Sequence, residues 1–450
     1  MIYSLYSLLL ATALLLSLPY WLFQMVRHRK YARGLIERLG KIPERLATRE
    51  TGSREAPSDS PPPRVIWVHA VSVGEVIAVS GLVAAMRPRF PAYRVFVSTT
   101  TDTGQTMARN RFGEENVFYF PMDFAFAIRG YLRALQPDLV VIAETEFWPN
   151  FLRLARTGGS RIAIVNARIS DRSWPNYRRF RWLLRHVLGN VDLFLTQTAG
   201  DAARLTTIGA EKNRVQVTGN LKFDATLPAL LPIVESLRRS FAETSAGPVL
   251  VCGSTTEGEE PSLLKAFETL RVAYPRAVMI LAPRHPERFD SVAALLQEMN
   301  IRFFRRSLWR VESLAGNVLL LDAMGELAAL YALADVAFVG GSLVPRGGHN
   351  IIEPAQYGIA IVVGPHTENF RDIVEIFRNR DALRTASPAD LPIVLGNLFA
   401  HPEQRVALGQ RAAETIRSQT GATMRTLDAI QTLLPASAVS VPSEASAQVQ

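Results

Sequence analysis

In the stretch RVIWVHAVSVGEV (residues 64–76) one periodicity ends and another begins. RVIWV (64–68) is β-branched and aromatic and reads as a buried strand, whereas Val76, Val79, Val83 and Met86 recur at helical spacing. The chain therefore runs strand, tight loop, helix, which opens an α/β unit. Glu75 falls in the first turn of that helix. Ser72-Val73-Gly74-Glu75 fits the capping-box pattern, in which the Ser side chain bonds the N–H three residues on and the Glu reaches back to the Ser72 N–H. The same placement allows chemistry. A carboxylate in the first turn sits in the positive end of the helix macrodipole, which is expected to hold it ionised, and ligands of open α/β sheets bind in the crevice outside the strand carboxyl ends. Glu75 is at once a candidate cap and a candidate general base.

Outward from this stretch, apolar strands alternate with amphipathic segments: RVFVSTT (94–100), DLVVIAE (138–144), RIAIVNA (161–167), LFLTQT (193–198) and RVQVTGN (214–220). The rhythm resumes after about residue 245 with PVLVCGS (248–254), AVMILAP (277–283), NVLLLDA (317–323), VAFVGGS (336–342) and AIVVGP (360–365). Strands spaced by helical segments imply βαβ units and parallel sheets. A chain of 450 residues with 48% hydrophobic composition exceeds what one core usually supports. Two successive α/β domains are expected, at 64–235 and 245–434, with Asp224 to Gly247 as helix plus hinge. The tail 435–450, PASAVSVPSEASAQVQ, has a disordered composition.

Charge is placed unevenly. Residues 1–26 carry no charged side chain and are rich in Leu, and between Arg27 and Glu50 eight Lys/Arg stand against three Glu, a surplus of five of the formal +9. An apolar run of this length suits a membrane anchor that either spans fully, which needs roughly 20 residues, or lies partly in the interface. The basic cluster follows the run rather than preceding it, the reverse of a secretory signal. The positive-inside rule then puts the N-terminus outside and the rest of the chain in the cytoplasm. Residues 27–63 read as a basic juxtamembrane helix followed by the Pro/Ser-rich linker TGSREAPSDSPPP (51–63). A pI near 9.9 raises a nucleic-acid binder as a rival reading, but such a protein would spread its charge over the globular part. The single cysteine, Cys252, excludes an intrachain disulfide and fits a reducing compartment. The seven histidines show no metal-ligand spacing and no Asp-x-Asp pair occurs, so no metal site is expected.

Neither a Walker A sequence nor a G-x-G-x-x-G fingerprint is present, so phosphate binding is sought elsewhere. GGSLVPRGGHNIIEPAQYG (340–358) follows a strand with two Gly pairs and opens a helix near Asn350, bringing backbone N–H groups to a possible phosphate. Asn350 is also an ordinary N-cap, and Glu353 either accepts ribose hydroxyls or is a plain first-turn acid. PRHPERF (283–289) offers Arg284 and Arg288 for bidentate phosphate contacts, and DAMGEL (322–327) exposes amides at Met324, Gly325 and Glu326. In the first half, AETEFWPN (143–150) sets Glu144 and Glu146 at a strand end with Trp148, and TGNLKFD (218–224) supplies Lys222. Arg172, Arg178, Arg179, Arg181 and Arg185 with Trp174, Tyr177 and Trp182 form a basic aromatic patch, suited to nucleic acid or to a membrane carrying phosphorylated lipid.

Together HAVSVGE (69–75), TDTG (101–104), ETEFWPN (144–150), NARIS (166–170), TGNLKFD (218–224), STTEGEE (254–260), PRHPERF (283–289), MGEL (324–327) and GGSLVPRGGHNIIEPA (340–355) resemble the 3-deoxy-D-manno-octulosonic acid (Kdo) transferases of lipopolysaccharide synthesis, in the family's order. The resemblance implies a GT-B glycosyltransferase fold, two Rossmann-like domains facing a cleft after an N-terminal anchor helix. It implies CMP-Kdo as donor, a lipid A precursor (lipid IVA) as acceptor, inner-membrane lipids as surroundings, catalysis on the cytoplasmic face with inversion, and no cofactor, metal or nucleic acid. Carried over by position, Glu75 is similar to the family's proton acceptor, and Glu144 and Lys222 to its transition-state-supporting pair. Pro283-Arg284, Met324 to Glu326 and Asn350-Ile351-Ile352-Glu353 are similar to its CMP-binding segments. Thr256 stands where many relatives carry His. The nearest rival reading is another membrane-associated GT-B enzyme, a nucleotide-sugar transferase or epimerase using UDP.

Overall fold

Strand β1 (Arg64–His69) runs through a short loop into helix Val73–Arg89, as the opening stretch requires. The structure is a computed structural model and describes residues 2–28, 34–47, 64–225, 227 and 231–435. The expected linker 51–63 and the tail beyond residue 435 lie outside the described residues, as does part of the basic segment.

Two parallel seven-stranded sheets are built in chain order. The first contains β1, β2 (Tyr93–Thr99), β3 (Val117–Tyr119), β4 (Leu139–Ala143), β5 (Arg161–Ala167), β6 (Leu193–Thr196) and β7 (Val215–Val217), arranged β3-β2-β1-β4-β5-β6-β7. The second contains β8 (Val249–Thr255), β9 (Val278–Pro283), β10 (Phe303–Arg305), β11 (Val318–Leu320), β12 (Val336–Val339), β13 (Ala360–Val363) and β14 (Arg384–Thr385), arranged β10-β11-β9-β8-β12-β13-β14. Short β3, β10 and β14 were not marked by the apolar rhythm, because each is too brief to show a period.

Both faces of each sheet are covered, so alternate residues of a central strand enter different cores. Ile66 and Val68 of β1 pack with Val76, Val79 and Met86 on one face. Val65 and Trp67 pack with Phe118, Tyr131 and Phe151 on the other. In the second sheet Leu250 and Cys252 face Leu263 and Phe267, while Val249 and Val251 face Leu237 and Tyr331.

The described chain divides into two compact units, one formed by residues up to Ala225 together with those from Thr420 on, the other by Thr226–Gln419. These limits differ from the expected ones at three places. Helix Ala422–Gln431, expected with the second domain, packs with the first: the Asp224 carboxylate accepts from the Gly421 and Thr423 N–H groups, and Leu427 and Ile430 enter the core beneath Val79. Helix Pro232–Thr244, expected at the end of the first domain and in the hinge, buries Val234 and Leu237 in the second unit. The expected juxtamembrane helix is, over 34–47, two short helices, Leu35–Arg38 and Glu44–Ala47, that belong to the first unit's fold. There the Tyr119 N–H donates to Glu37 Oε2 (3.0 Å), the Tyr131 hydroxyl donates to the carbonyls of Glu37 and Lys41, and Leu46 is buried.

Upstream, helix Ile2–His28 contains a stretch, Ile2–Trp21, that is long and apolar enough to cross a membrane, with mean hydropathy 1.7.

Candidate active site

In each sheet the strand order reverses beside its first strand, between β1 and β4 and between β8 and β12. Such a switch point leaves a crevice outside the strand carboxyl ends, since the following loops leave in opposite directions. The loops at these two points carry most of the residues singled out from the sequence.

In the first unit Glu75 follows β1 and Glu144 follows β4. The Ser72 hydroxyl caps the Val73–Arg89 helix by accepting from the Glu75 N–H (3.5 Å). Glu75 does reach back, but to the Val71 N–H (2.8 Å to Oε2) and the Ser72 hydroxyl (3.0 Å to Oε1) rather than to the Ser72 N–H. The residue is only 8% exposed. Burial, reinforced by the nearby Glu144 and Glu146 carboxylates, lifts it from 4.5 to about 7 against the pull of those two hydrogen bonds. The expectation that the helix end keeps Glu75 firmly ionised is thus corrected: desolvation and like charge outweigh the dipole, and the group is poised to gain or lose a proton near neutrality.

Glu144 and Lys222 meet as a half-buried ion pair, Nζ to Oε1 at 3.4 Å. Lys222 is placed by a short turn, Leu221–Asp224, whose start is fixed by Asn220 Oδ1 accepting from the Lys222 N–H (3.0 Å). Burial and the charge of Glu144 also raise the Glu146 carboxyl. The structure therefore gathers Glu75, Glu144, Glu146 and Lys222.

In the second unit Pro283 ends β9, and the Arg284 N–H donates to the Thr255 carbonyl at the end of β8 (2.9 Å). The Arg284 charge is felt by Glu353 and by His349. Asn350 Oδ1 accepts from the Ile352 N–H (3.1 Å) and its Nδ2 donates to Glu353 Oε1 (3.1 Å), so Asn350 holds the start of the short helix Ile352–Gln356 and orients Glu353. Ile351 and Ile352 are buried beneath. Burial raises the Glu353 carboxyl. Farther along the sheet edge, after β11, Met324 is exposed and Gly325 takes φ +86°, while Glu326 is clamped by Arg306 (2.9 and 3.0 Å). Arg288, read as a phosphate ligand, instead makes a bidentate pair with buried Glu260 (2.7 and 3.0 Å), which commits its guanidinium to holding that turn.

Two residues of this unit were missed. Glu259 is fully buried, and its carboxylate accepts from the N–H groups of Thr256, Gly341, Ser342 and Leu343 (2.7–2.9 Å) and from the Thr256 hydroxyl (3.0 Å). One side chain thus ties the loop after β8 to the glycine loop after β12. Its only sequence signal was the doubled Glu of STTEGEE. His349 is kept neutral by burial and by the charges of Arg284 and His285, which lower it to about 4, and its Nε2 is buried with no partner among the described residues.

Backbone strain marks the same places. Glu144, Asn166 and Ser254 adopt φ of +57°, +54° and +56°, the left-handed region that costs a side-chain-bearing residue, and each sits at the end of β4, β5 or β8. Four buried polar atoms without a partner among the described residues lie there too: His69 Nε2, Trp148 Nε1 and Asn166 Nδ2 in the first unit, Thr255 Oγ1 in the second. Among the described residues no three His, Cys, Asp or Glu side chains gather as a metal-holding group.

Comparison with known proteins agrees with this architecture. The solved structure of UDP-GlcNAc 2-epimerase from Neisseria meningitidis bound to UDP-GlcNAc aligns over 82% of this chain and 100% of its own, with TM-score 0.54 at 12% identity, a likeness of fold. Two successive Rossmann-like units make up the GT-B architecture. The family model for 3-deoxy-D-manno-octulosonic-acid transferase (kdotransferase) matches residues 34–225. The 3-deoxy-D-manno-octulosonic acid transferase of Haemophilus influenzae is 35% identical over 378 residues, 83% of this chain and 88% of its own, and that of Bordetella pertussis 37% over 407, 86% and 92%. The chain belongs to the Kdo transferase family.

Proposed function

We propose that this enzyme transfers Kdo from CMP-Kdo to lipid IVA, with inversion and without a metal, on the cytoplasmic face of the inner membrane. The observation that carries the reading is Glu75: a buried carboxyl lifted to about 7, beside a carboxylate–ammonium pair, in the crevice of the first switch point. A group of this strength is half ionised at neutral pH and suited to general-base work. In the proposed reaction an acceptor hydroxyl oxygen attacks the anomeric carbon of Kdo while its proton passes to Glu75. The bond from that carbon to the phosphate oxygen breaks, and its electron pair leaves with CMP from the opposite face. Lys222, steadied by Glu144, lends positive charge near the reacting groups.

The second unit is assigned the donor. Arg284 meets the single phosphate of CMP, Glu353 accepts from ribose hydroxyls with Asn350 holding its orientation, and the amides after β11 at Met324, Gly325 and Glu326 frame the nucleotide. One phosphate of modest charge is a load that an arginine and backbone amides can bear. Neutral His349, with an uncommitted ring nitrogen beside Arg284, fits a hydrogen bond to the same ligand.

The test is to incubate full-length protein with CMP-Kdo and lipid IVA and weigh the product, alongside the thermal shift given by CMP and by UDP. Mass increments of Kdo and protection by CMP support the reading. Protection by UDP alone, with no Kdo added, would replace it by a UDP-dependent transferase or epimerase.

A further inference from the structure

We infer that helix Ile2–His28 is a monotopic anchor: it lies in the plane of the membrane interface, latched by its first two turns to the catalytic unit, and does not cross the bilayer. The latch is polar and specific. The Tyr3 hydroxyl donates to the His186 carbonyl (3.2 Å) and accepts from Asn190 Nδ2 (2.9 Å), and the Arg153 guanidinium lies 4.9 Å from the Tyr3 ring centre. Ser7 Oγ accepts from Asn150 Nδ2 (2.9 Å). The Tyr6 hydroxyl bonds Asp123, the carboxylate that also receives the Asn150 and Phe151 N–H groups.

These contacts oppose the topology drawn from charge. A helix crossing with its N-terminus outside would hold Tyr3, Tyr6 and Ser7 beyond a hydrocarbon core about 30 Å thick, on the far side from the catalytic unit. The same three side chains cannot then reach His186, Asn190, Asn150 and Asp123 of that unit. The other end is tied to the unit as well. Gly34 lies flat against the Tyr119 ring, where even an added Cβ would collide, and the chain from His28 to Gly34 spans at most about 22 Å. A helix of 27 residues, about 40 Å long, therefore has both ends held by one body.

Its two sides differ accordingly. Tyr3, Tyr6, Ser7, Leu10, Leu14 and Ser17 follow helical spacing as a partly shielded stripe that includes the polar residues of the latch. Leu5, Leu9, Leu16 and Tyr20 lie along another side and are exposed, as are Leu8, Leu15 and Leu18 beyond it. An interfacial helix turns apolar side chains to the acyl chains and meets polar groups on its other side. Here the protein supplies those polar groups. The occupant of the apolar side is an anionic bilayer, because the latch sits next to the basic patch: exposed Arg172, Arg178, Arg179, Arg181 and Arg185, with Phe180 and Trp182 also exposed, precede His186. Asn150 opens helix Pro149–Thr157 directly after the segment bearing Glu144 and Glu146, so the latch fixes the height of that loop relative to the lipid surface.

The test uses full-length protein in liposomes of phosphatidylethanolamine and phosphatidylglycerol. Nitroxide labels at Leu5→Cys, Leu9→Cys, Leu16→Cys and Tyr20→Cys, made singly, report immersion depth by collision with oxygen and with a water-soluble nickel complex; native Cys252 is buried and stays unlabelled. An in-plane helix gives one shallow depth, about 5–10 Å, at all four positions. A depth that rises to about 15 Å at the helix centre and falls at both ends would overturn the inference. A second variant, Ser7→Cys/Asn150→Cys, should form a disulfide in the same liposomes under mild oxidation, and failure to cross-link in protein with the wild-type melting profile would also overturn it. Neither readout involves Kdo transfer, so a failure here is distinct from a failure of the proposed activity.

Discussion

Replacing Glu75 by Gln should make the enzyme slower and, above neutral pH, more stable. Gln has the same length, and its amide oxygen can still accept from the Val71 N–H while its NH2 faces the Ser72 hydroxyl, so the loop geometry has no reason to change. What goes is the titration. In the folded protein the carboxyl ionises at about 7, against 4.5 when the chain is unfolded. Below pH 4.5 the acid is protonated in both states and costs the fold nothing. Between 4.5 and 7 the unfolded state releases the proton while the folded state keeps it, so wild-type stability falls as pH rises. Above 7 the loss is complete, about 3 kcal/mol at 1.36 kcal/mol per pH unit. A neutral Gln escapes that loss. At pH 8 the transition of the first unit in Glu75→Gln should therefore lie about 6–12 °C above wild type, and the difference should shrink to about 2–3 °C at pH 5 and vanish below about pH 4. Transfer should fall by roughly 10²–10⁴ because the base is gone, and wild-type kcat should rise with pH through about 7. Scanning calorimetry from pH 5 to 8 and Kdo transfer measured on the same preparations decide the matter. A variant that is less stable than wild type at pH 8, or one that transfers at a near-normal rate, would refute the account of Glu75 as a buried, destabilising, working base.

Four further outcomes are expected. Arg284→Ala and Glu353→Ala should each weaken CMP binding in calorimetric titration by about 1.5–3 kcal/mol, the size of a lost charge-assisted hydrogen bond, and unchanged affinity in both would move the nucleotide site. Glu259→Ala leaves the N–H groups of Gly341, Ser342 and Leu343 without their acceptor, so the second unit should lose at least about 3 kcal/mol in denaturant unfolding and CMP binding should fall with it. Removing residues 1–33 should leave a folded, CMP-binding protein, whereas removal through residue 47 strips Leu46 from the core and leaves the Tyr119 N–H and the Tyr131 hydroxyl without their acceptors, lowering stability by about 2–5 kcal/mol. Transfer by full-length enzyme should persist in excess EDTA, and abolition with rescue by magnesium would end the metal-free reading.

The apolar strands were legible because their period and burial agree: Ile66 and Val68 face one core, Val65 and Trp67 the other, so RVIWV had to be apolar throughout. Glu75, Glu144 and Lys222 were legible because they close strands or follow them within a few residues. Connections over long sequence distance were hidden. Nothing in TGNLKFD announces that Asp224 caps a helix beginning at Ala422, and it is this pairing that returns the end of the chain to the first unit. The partners of the N-terminal helix were hidden for a related reason: hydropathy counts apolar side chains, and it cannot tell that Tyr3, Tyr6 and Ser7 have partners in a domain more than a hundred residues away.

Strain was hidden as well. Left-handed backbone is usually announced by glycine, and Glu144, Asn166 and Ser254 adopt it without one. Neighbouring sheet contacts enforce it: the Glu144 N–H is bound to the Val165 carbonyl, and Asn166 Oδ1 is bound to the Leu221 N–H. Strain held in this way sits at the strand ends that border the switch-point crevices.

The two switch-point glutamates show why residue type and position alone do not set a role. Glu75 and Glu259 each follow the first strand of a parallel sheet, and each is buried near the start of a helix. Glu259 receives five donors from two loops, so every oxygen is engaged and the carboxylate can do nothing but brace the glycine loop. Glu75 receives two and faces two further carboxylates, so its charge is under-compensated and its proton affinity rises. The count of donors, which depends on loops far apart in the chain, separates a structural acid from a basic one. It follows that adding a cation beside Glu75, for example by Val71→Lys, should turn it toward the Glu259 condition: the carboxyl should fall below 7 and the alkaline rise of kcat should move to lower pH, while the rate at its plateau should drop as the base weakens. A plateau rate unchanged by such a shift would show that proton transfer to Glu75 does not limit turnover.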